Sequence, residues 1–156
     1  MHPPSSLREK AAQLIFIRFG SNMSPKVEAA DDLHRVSEQV TAHGIGGVLF
    51  FNGGTTERAA ESLAALQAIS SIPLLVAADM ERGMAQQISD LTAWPHALAF
   101  DACGQEAEPC VEQFAWVTGL EARNLGVHAS FSPVADIHRN PNNPIIAGMK
   151  LIPVIN

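Results

Sequence analysis

The sequence predicts an α/β fold in which parallel strands alternate with helices. Two observations support it: short, mostly continuous apolar runs are typical of strands buried on both faces, and helical stretches separate these runs. The strands are expected at residues 14–17, 47–51, 73–78 and about 128–137. Four strand-and-helix units fit either a small open domain or half of a closed barrel of eight units.

The first two helices are predicted from capping residues and a glycine. Ser6 and Glu9 form a capping box, in which a hydroxyl and a carboxylate three residues apart start a short first helix. Ser24 followed by Pro25 predicts the start of the second helix, and Gly44 predicts its end.

The third and fourth helices flank a long irregular stretch at residues 79–104. Thr55 or Thr56 is expected to cap the third helix, which runs to about Ile69. The fourth helix is predicted from an apolar stripe with steps of three and four residues, and Gly126 closes it. The stripe consists of Val111, Phe114, Ala115, Thr118, Ala122 and Leu125.

Composition and charge narrow the class of protein. The 156 residues are 47% hydrophobic and 17% charged, which is typical of one globular domain with a sizeable core. The net charge of -6 argues against a nucleic acid or an anionic membrane as partner, since both require a basic face. The N-terminus shows no signal-peptide pattern and no apolar stretch reaches the length of a membrane span, so a cytoplasmic location is expected.

The first candidate binding residue, Asp79, directly follows the third strand. In parallel α/β folds the carboxyl ends of the strands carry the functional side chains. A carboxylate at this position can accept hydrogen bonds from two sugar hydroxyls. The alternative is structural: Asp79 or Glu81 caps the following turn, or pairs with Arg82.

The second candidate binding residue, Asp136, ends the fourth strand and is expected to open on the same edge of the sheet as Asp79. Counting by twos places His128, Ser130 and Ser132 on its face and apolar residues on the other. We expect the apolar face to meet the helices and the polar face to line the interior. The alternative for Asp136 is an Asx turn or a bond to the loop that follows.

No metal or cofactor is expected from the sequence. Asp136 and His138 have the spacing of two metal ligands, but no third ligand accompanies them. Cys103 and Cys110 match neither a redox pair nor a zinc knuckle.

The loop Asn52-Gly53-Gly54 joins a strand to a helix, which is where an anion binds at a helix N-terminus. A plain capped loop is the favoured explanation, and phosphate binding stays an alternative. Neither a dinucleotide fingerprint nor a Walker-type loop is found.

Several blocks of the chain resemble, in order and spacing, the N-terminal domain of glycoside hydrolase family 3. The blocks are GIGGVLFF at 44–51, IPLLVAADMERG at 72–83, WPHALAF at 94–100, LGVHASFSPVADI at 125–137 and RNPNNPII at 139–146. The resemblance covers about residues 7–146 and implies the first half of a (β/α)8 TIM barrel. It divides the chain into a partial family domain at 1–146 and a divergent tail at 147–156.

The resemblance also implies an activity and a substrate class. Enzymes of this family are retaining β-glycosidases, here of the β-N-acetylhexosaminidase or β-glucosidase type, that use a carboxylate nucleophile and a separate acid/base. The implied partner is therefore a β-linked sugar substrate. Asp79 matches the family aspartate that hydrogen-bonds the hydroxyls of the terminal sugar, and Asp136 matches an aspartate at the end of the fourth strand.

The chain departs from the family after residue 146, where AGMK replaces a GDRSF-like segment. The family segments that carry the acid/base and the nucleophile have no counterpart in the sequence, so no residue is assigned a catalytic role. We expect the chain alone to be inactive and to self-associate through the exposed edge of its half-barrel. The alternative function is a non-catalytic small-molecule-binding or interaction module.

Overall fold

The computed structural model describes residues 4, 6–135, 140 and 142–143. Within them, four strands form one parallel sheet in the order β1-β2-β3-β4. The strands are β1 (Phe16–Phe19), β2 (Gly47–Phe50), β3 (Leu75–Ala78) and β4 (Ala129–Ser130). The predicted α/β class, with sequential parallel strands that form half of a barrel, is confirmed.

Four α-helices alternate with these strands, and two 3-10 helices occupy the stretch between β3 and the last of them. The α-helices are α1 (Leu7–Ala12), α2 (Ala29–His43), α3 (Thr56–Ile69) and α4 (Ala107–Leu125). The 3-10 helices are Met84–Gln86 and Ala97–Glu106. Within the described residues, no helix combines the length and the apolarity that a membrane span requires.

Local capping signals placed several helix ends correctly. The Ser6 hydroxyl accepts a hydrogen bond from the Glu9 amide and the Glu9 carboxylate accepts one from the Ser6 amide, as a capping box requires. The Thr55 hydroxyl caps α3, while α2 and α4 end at Gly44 and Gly126 as predicted.

The predicted position of β1 is wrong by two residues. Leu14 and Ile15 were expected in the strand, but their amides donate to carbonyls of α1 and prolong its last turn. Both side chains are exposed, and the strand begins only at Phe16.

The predicted start of α2 is also wrong. Ser24 and Pro25 lie in a turn that is closed by reciprocal backbone hydrogen bonds between Ser21 and Val27. The helix begins after this turn, at Ala29. A serine followed by proline starts a helix only when the next residues are free to adopt the helical conformation.

One face of the sheet packs against α2 and α3 and forms the core. Along each strand, residues of this face alternate with residues of the opposite face. The strands contribute Phe19, Val48, Phe50, Val76 and Ala78, each at most 1% exposed. The helices contribute Val36, Val40, Ala59, Leu63 and Leu66.

The opposite face of the sheet, called the inner face here, carries Arg18, Leu49, Leu75 and Ala77. Leu75 is 54% exposed on this face. In a closed barrel the inner face lines the interior, where side chains from all strands pack together. The inner face is therefore the surface that a barrel would fill.

The predicted orientation of β4 is wrong. Ser130 pairs in register with Ala78, whose side chain lies in the helix-facing core, whereas Ala129 pairs with Ala77 on the inner face. Paired residues of neighbouring strands share a face, so Ser130 faces the helices. An open depression of about 420 Å³ lies between β4 and α4 and is lined by His128, Ala129 and Ser130 among others. Only Ala129–Ser130 of the expected strand is β4; Asp136, His138 and residues 147–156 lie outside the described residues.

Candidate functional site

Asp79 lies directly after β3, at the carboxyl edge of the sheet. Its neighbours Ala78 and Met80 are buried in the helix-facing core, so alternation places Asp79 on the inner face, where it is half-buried. Its carboxylate makes no hydrogen bond or ion pair with any described residue. Within the described chain neither Asp79 nor Glu81 caps the turn or pairs with Arg82, so both structural alternatives lack support.

The buried side chain of Gln87 forms hydrogen bonds with the three loops that follow β1, β2 and β3, including the loop that carries Asp79. Its Nε2 donates to the carbonyl oxygen of Asp79 at 2.9 Å. Its Oε1 accepts from the Asn22 side chain at 2.8 Å and from the Asn52 amide at 3.2 Å. Because these partners follow β3, β1 and β2 in turn, one amide group fixes three strand ends relative to each other.

A second contact holds the loop after β3 from the side of β4. The Met80 amide donates to the Ser132 hydroxyl at 3.0 Å. Two main-chain bonds of β4 extend this pairing, from the His128 amide to Val76 at 2.8 Å and from the Phe131 amide to Ala78 at 3.1 Å.

The end of β1 is fixed by a buried carboxylate of α2. Asp32 accepts a hydrogen bond from the Gly20 amide at 3.1 Å and forms an ion pair with Arg35 at 2.6 Å. The hydrogen bond from Arg35 holds the pKa of Asp32 below its usual value despite partial desolvation, and the Gly20 amide adds to this effect. Arg35 also donates to the Arg18 carbonyl, which joins α2 to β1.

The loop Asn52-Gly53-Gly54 is a capped loop, and the anion position at the start of α3 holds a carboxylate of the chain itself. The Thr56 amide and hydroxyl donate to Asp90 at 2.8 and 3.0 Å. The hydrogen bond from the Thr56 amide lowers the pKa of Asp90. Phosphate binding at this helix end therefore lacks support, because the Thr56 amide and hydroxyl and the Arg58 amide already donate to side chains of the chain itself.

The remaining ligand candidates do not form a cluster in the described part of the chain. There, no group of three or more His, Cys, Asp or Glu side chains has the arrangement of a metal site. Cys103 and Cys110 are free thiols, and a hydrogen bond with Cys103 raises the pKa of Cys110.

Sequence reasoning proposed Asp79 as a binding residue but did not identify Gln87 and Ser132, which bond to its backbone and to that of Met80. Neither belongs to a motif with a known spacing, and their partners lie on other strands or loops. The only local signal was the position of Ser132 just beyond the fourth strand.

The fold and the site together define a class of protein. Sequential parallel strands with helices on one face form half of a (β/α)8 barrel, and the candidate site lies at the edge where barrel enzymes bind substrates. The chain belongs to glycosyl hydrolase family 3, because the model of that family's N-terminal domain matches residues 6–149.

Individual relatives agree with this assignment. A "Beta-N-acetylglucosaminidase/beta-glucosidase" of Cellulomonas fimi is 37% identical over 101 residues, which are 65% of this chain and 17% of the relative. "Beta-hexosaminidase A" of Pseudoalteromonas piscicida is 29% identical over 121 residues, 71% of this chain and 20% of the relative. The solved family 3 β-N-acetylglucosaminidase from Paenibacillus sp. str. FPU-7 superposes with a TM-score of 0.72 at 30% identity, covering 91% of this chain and 26% of that one.

The chain spans about a fifth of the length of the curated relatives that it matches, 17% and 20% respectively. It therefore corresponds to one part of each of these relatives.

Proposed function

We propose that this chain supplies part of a sugar-binding subsite of a β-glycosidase, in which Asp79 accepts hydrogen bonds from hydroxyls of the terminal sugar. The substrate class is a β-linked N-acetylglucosaminide or glucoside, as the name of the Cellulomonas fimi relative indicates. The observation that carries the proposal is the half-buried Asp79 carboxylate, which lies on the inner face of a family 3 half-barrel and has no partner among the described residues.

A carboxylate in this setting is a strong acceptor for neighbouring hydroxyls. Hydrogen bonds to an ionised acceptor are about twice as strong as bonds between neutral groups. Partial burial adds to this, because fewer water molecules compete for the oxygens. Two adjacent hydroxyls of a sugar ring can bind the two oxygens of Asp79 at once, which selects for the arrangement of those hydroxyls.

Asp136 is proposed as a second binding residue of the same subsite. The support is the family resemblance together with the order of the strands, in which β4 adjoins β3 and its exit adjoins Asp79. The nucleophile and the acid/base are not assigned to any residue of this chain, so the proposed role is binding.

Sugar titration of the 156-residue chain tests the proposal. We expect N-acetylglucosamine or glucose to give saturation-transfer NMR signals that the Asp79→Asn variant loses. Asp101→Asn is the matched control, since Asp101 is an exposed carboxylate in the 3-10 helix before α4. Sugar signals of equal strength in Asp79→Asn and the parent chain would contradict the role of Asp79.

We also propose that the chain self-associates. Within the described residues β4 pairs only with β3, and apolar side chains are exposed nearby on the sheet and on α4. These are Leu75 at 54%, Phe131 at 60%, Trp116 at 67% and Leu120 at 42%. An open strand edge next to apolar surface favours pairing with another chain.

We also propose that the protein is cytoplasmic, and cell fractionation tests this location.

A further inference from the structure

The peptide group that joins Asp79 to Met80 is bonded at both of its polar atoms by side chains from other parts of the fold. The Asp79 carbonyl oxygen accepts from Gln87 Nε2 at 2.9 Å, and the next amide, that of Met80, donates to Ser132 Oγ at 3.0 Å. Both polar atoms of the Asp79–Met80 peptide group are thus held by side chains.

The Gln87 contact is itself held from several directions. Gln87 is only 4% exposed, and its side-chain oxygen already accepts from Asn22 and from the Asn52 amide. Its own carbonyl oxygen accepts from the Gly53 amide at 2.7 Å. A side chain with this many partners has one orientation, and in this orientation its Nε2 donates to the Asp79 carbonyl.

A glutamine satisfies this position because it combines a donor and an acceptor in one planar group. Glutamate has the same shape and keeps the acceptor for Asn22 and Asn52. It offers no donor to the Asp79 carbonyl, and its charged oxygen would face that carbonyl instead. Gln87→Glu therefore replaces this contact with repulsion and adds a buried negative charge, with little change in volume.

The carboxylate of Asp79 takes no part in this network, since neither Gln87 nor Ser132 bonds to it. We propose that Gln87 and Ser132 are positioning residues, which fix the backbone of Asp79 so that its carboxylate meets a sugar in one direction. This inference rests on the proposed sugar-binding role of Asp79. A binding group held in advance loses less conformational freedom when its ligand arrives.

Four variants of the 156-residue chain test the inference: Gln87→Glu, Ser132→Ala, Ser132→Thr and the control Ser89→Ala. Ser132→Thr keeps the hydroxyl and serves as the rescue. Ser89 is exposed, and its hydroxyl donates to the Gly54 carbonyl at 2.9 Å, so its variant loses a comparable bond elsewhere. Thermal unfolding midpoints identify any variant that fails to fold. If Gln87→Glu fails to fold, Ser132→Ala alone tests the inference.

Two measurements are made on each variant, sugar affinity by NMR titration and hydrogen exchange of the Met80 amide by fragment-resolved mass spectrometry. We expect Ser132→Ala to bind sugar about five- to tenfold more weakly and to exchange the Met80 amide faster by a similar factor, as the loss of one hydrogen bond implies. Ser132→Thr restores both values, Ser89→Ala changes neither, and Gln87→Glu weakens sugar binding at least as much as Ser132→Ala.

The outcomes separate the two proposals. If the parent chain binds sugar and both Gln87→Glu and Ser132→Ala bind it equally well, the positioning role is wrong while the role of Asp79 stands. If the parent chain binds no sugar, the role of Asp79 is wrong. Hydrogen exchange of the Met80 amide then tests only the hydrogen bond between Met80 and Ser132. Faster exchange in Ser132→Ala that Ser132→Thr reverses supports the contact, and unchanged exchange overturns it.

Discussion

Replacement of Gly20 by alanine would place a methyl group 1.9 Å from the carbonyl oxygen of Phe51 and 3.1 Å from the amide nitrogen of Ala29. Both neighbours are backbone atoms, the first in the loop after β2 and the second at the start of α2, so neither can rotate away. Gly20 also has a φ of 75°, in the left-handed region that L-residues rarely adopt. The substitution therefore combines backbone strain with a clash.

Gly44 separates these two effects. It has a similar φ of 62°, but a methyl group there would meet nothing within 4 Å. We expect Gly44→Ala to cost only the left-handed strain, about 1–2 kcal/mol. Gly20→Ala adds overpacking, typically about 1–3 kcal/mol, for a total of about 2–5 kcal/mol. Domains of this kind are stable by about 5–15 kcal/mol, so the loss is large.

Urea unfolding followed by circular dichroism measures both variants at one protein concentration. The entropy that alanine removes from the unfolded chain is the same at both sites, so it cancels in the comparison. We expect the Gly20 variant to be less stable than the Gly44 variant by about 1–3 kcal/mol. Equal stability would refute the close approach of β1 and β2 at their carboxyl ends.

Three further results are expected. Since the pKa of Asp32 is lowered in the folded state, its ion pair with Arg35 stabilises the fold above the usual carboxyl range, and this stability is lost as the pH falls through the folded pKa. Urea unfolding between pH 7 and pH 3 should show a smaller loss for Asp32→Asn than for the parent chain, and identical curves would contradict the assignment. The 156-residue chain should not hydrolyse nitrophenyl β-N-acetylglucosaminide or β-glucoside, because two-carboxylate catalysis needs a nucleophile that no residue here is assigned to supply; turnover abolished by Asp79→Ala would show otherwise. Sedimentation should give species heavier than the 16.7 kDa monomer, with Leu75→Lys shifting them toward monomer, whereas a monomer that unfolds cooperatively would contradict self-association.

The elements that the sequence predicted correctly carry their signals locally. The capping box at Ser6, the cap at Thr55 and the glycines at 44 and 126 act within one turn of the helix they bound. The continuous apolar run of β2 reflects burial between helices and neighbouring strands, and its composition alone indicates this.

The elements that the sequence predicted wrongly depend on contacts between distant residues. The period of two in the fourth strand predicts which residues alternate, but only pairing with β3 decides that Ser130 faces the helices. The turn from Ser21 to Val27 displaces the start of α2 through bonds that no capping pattern contains. Gln87 is similar: its partners at Asn22 and Asn52 lie 65 and 35 residues away.

The way β4 is joined to β3 matters for anyone who recombines half-barrels from different parents. Val76 donates its amide to the ring Nδ1 of His128, and Met80 donates its amide to the hydroxyl of Ser132, both at 3.0 Å. The two side chains thus accept hydrogen bonds from amides four residues apart, one on each side of a strand pair that is only two residues long. A shift of β4 by one residue along β3 would break both hydrogen bonds and turn Ala129 toward the helices. A chimaera whose two parents join near β4 should therefore take His128 and Ser132 from the same parent as β3. These two side chains set the register between β3 and β4.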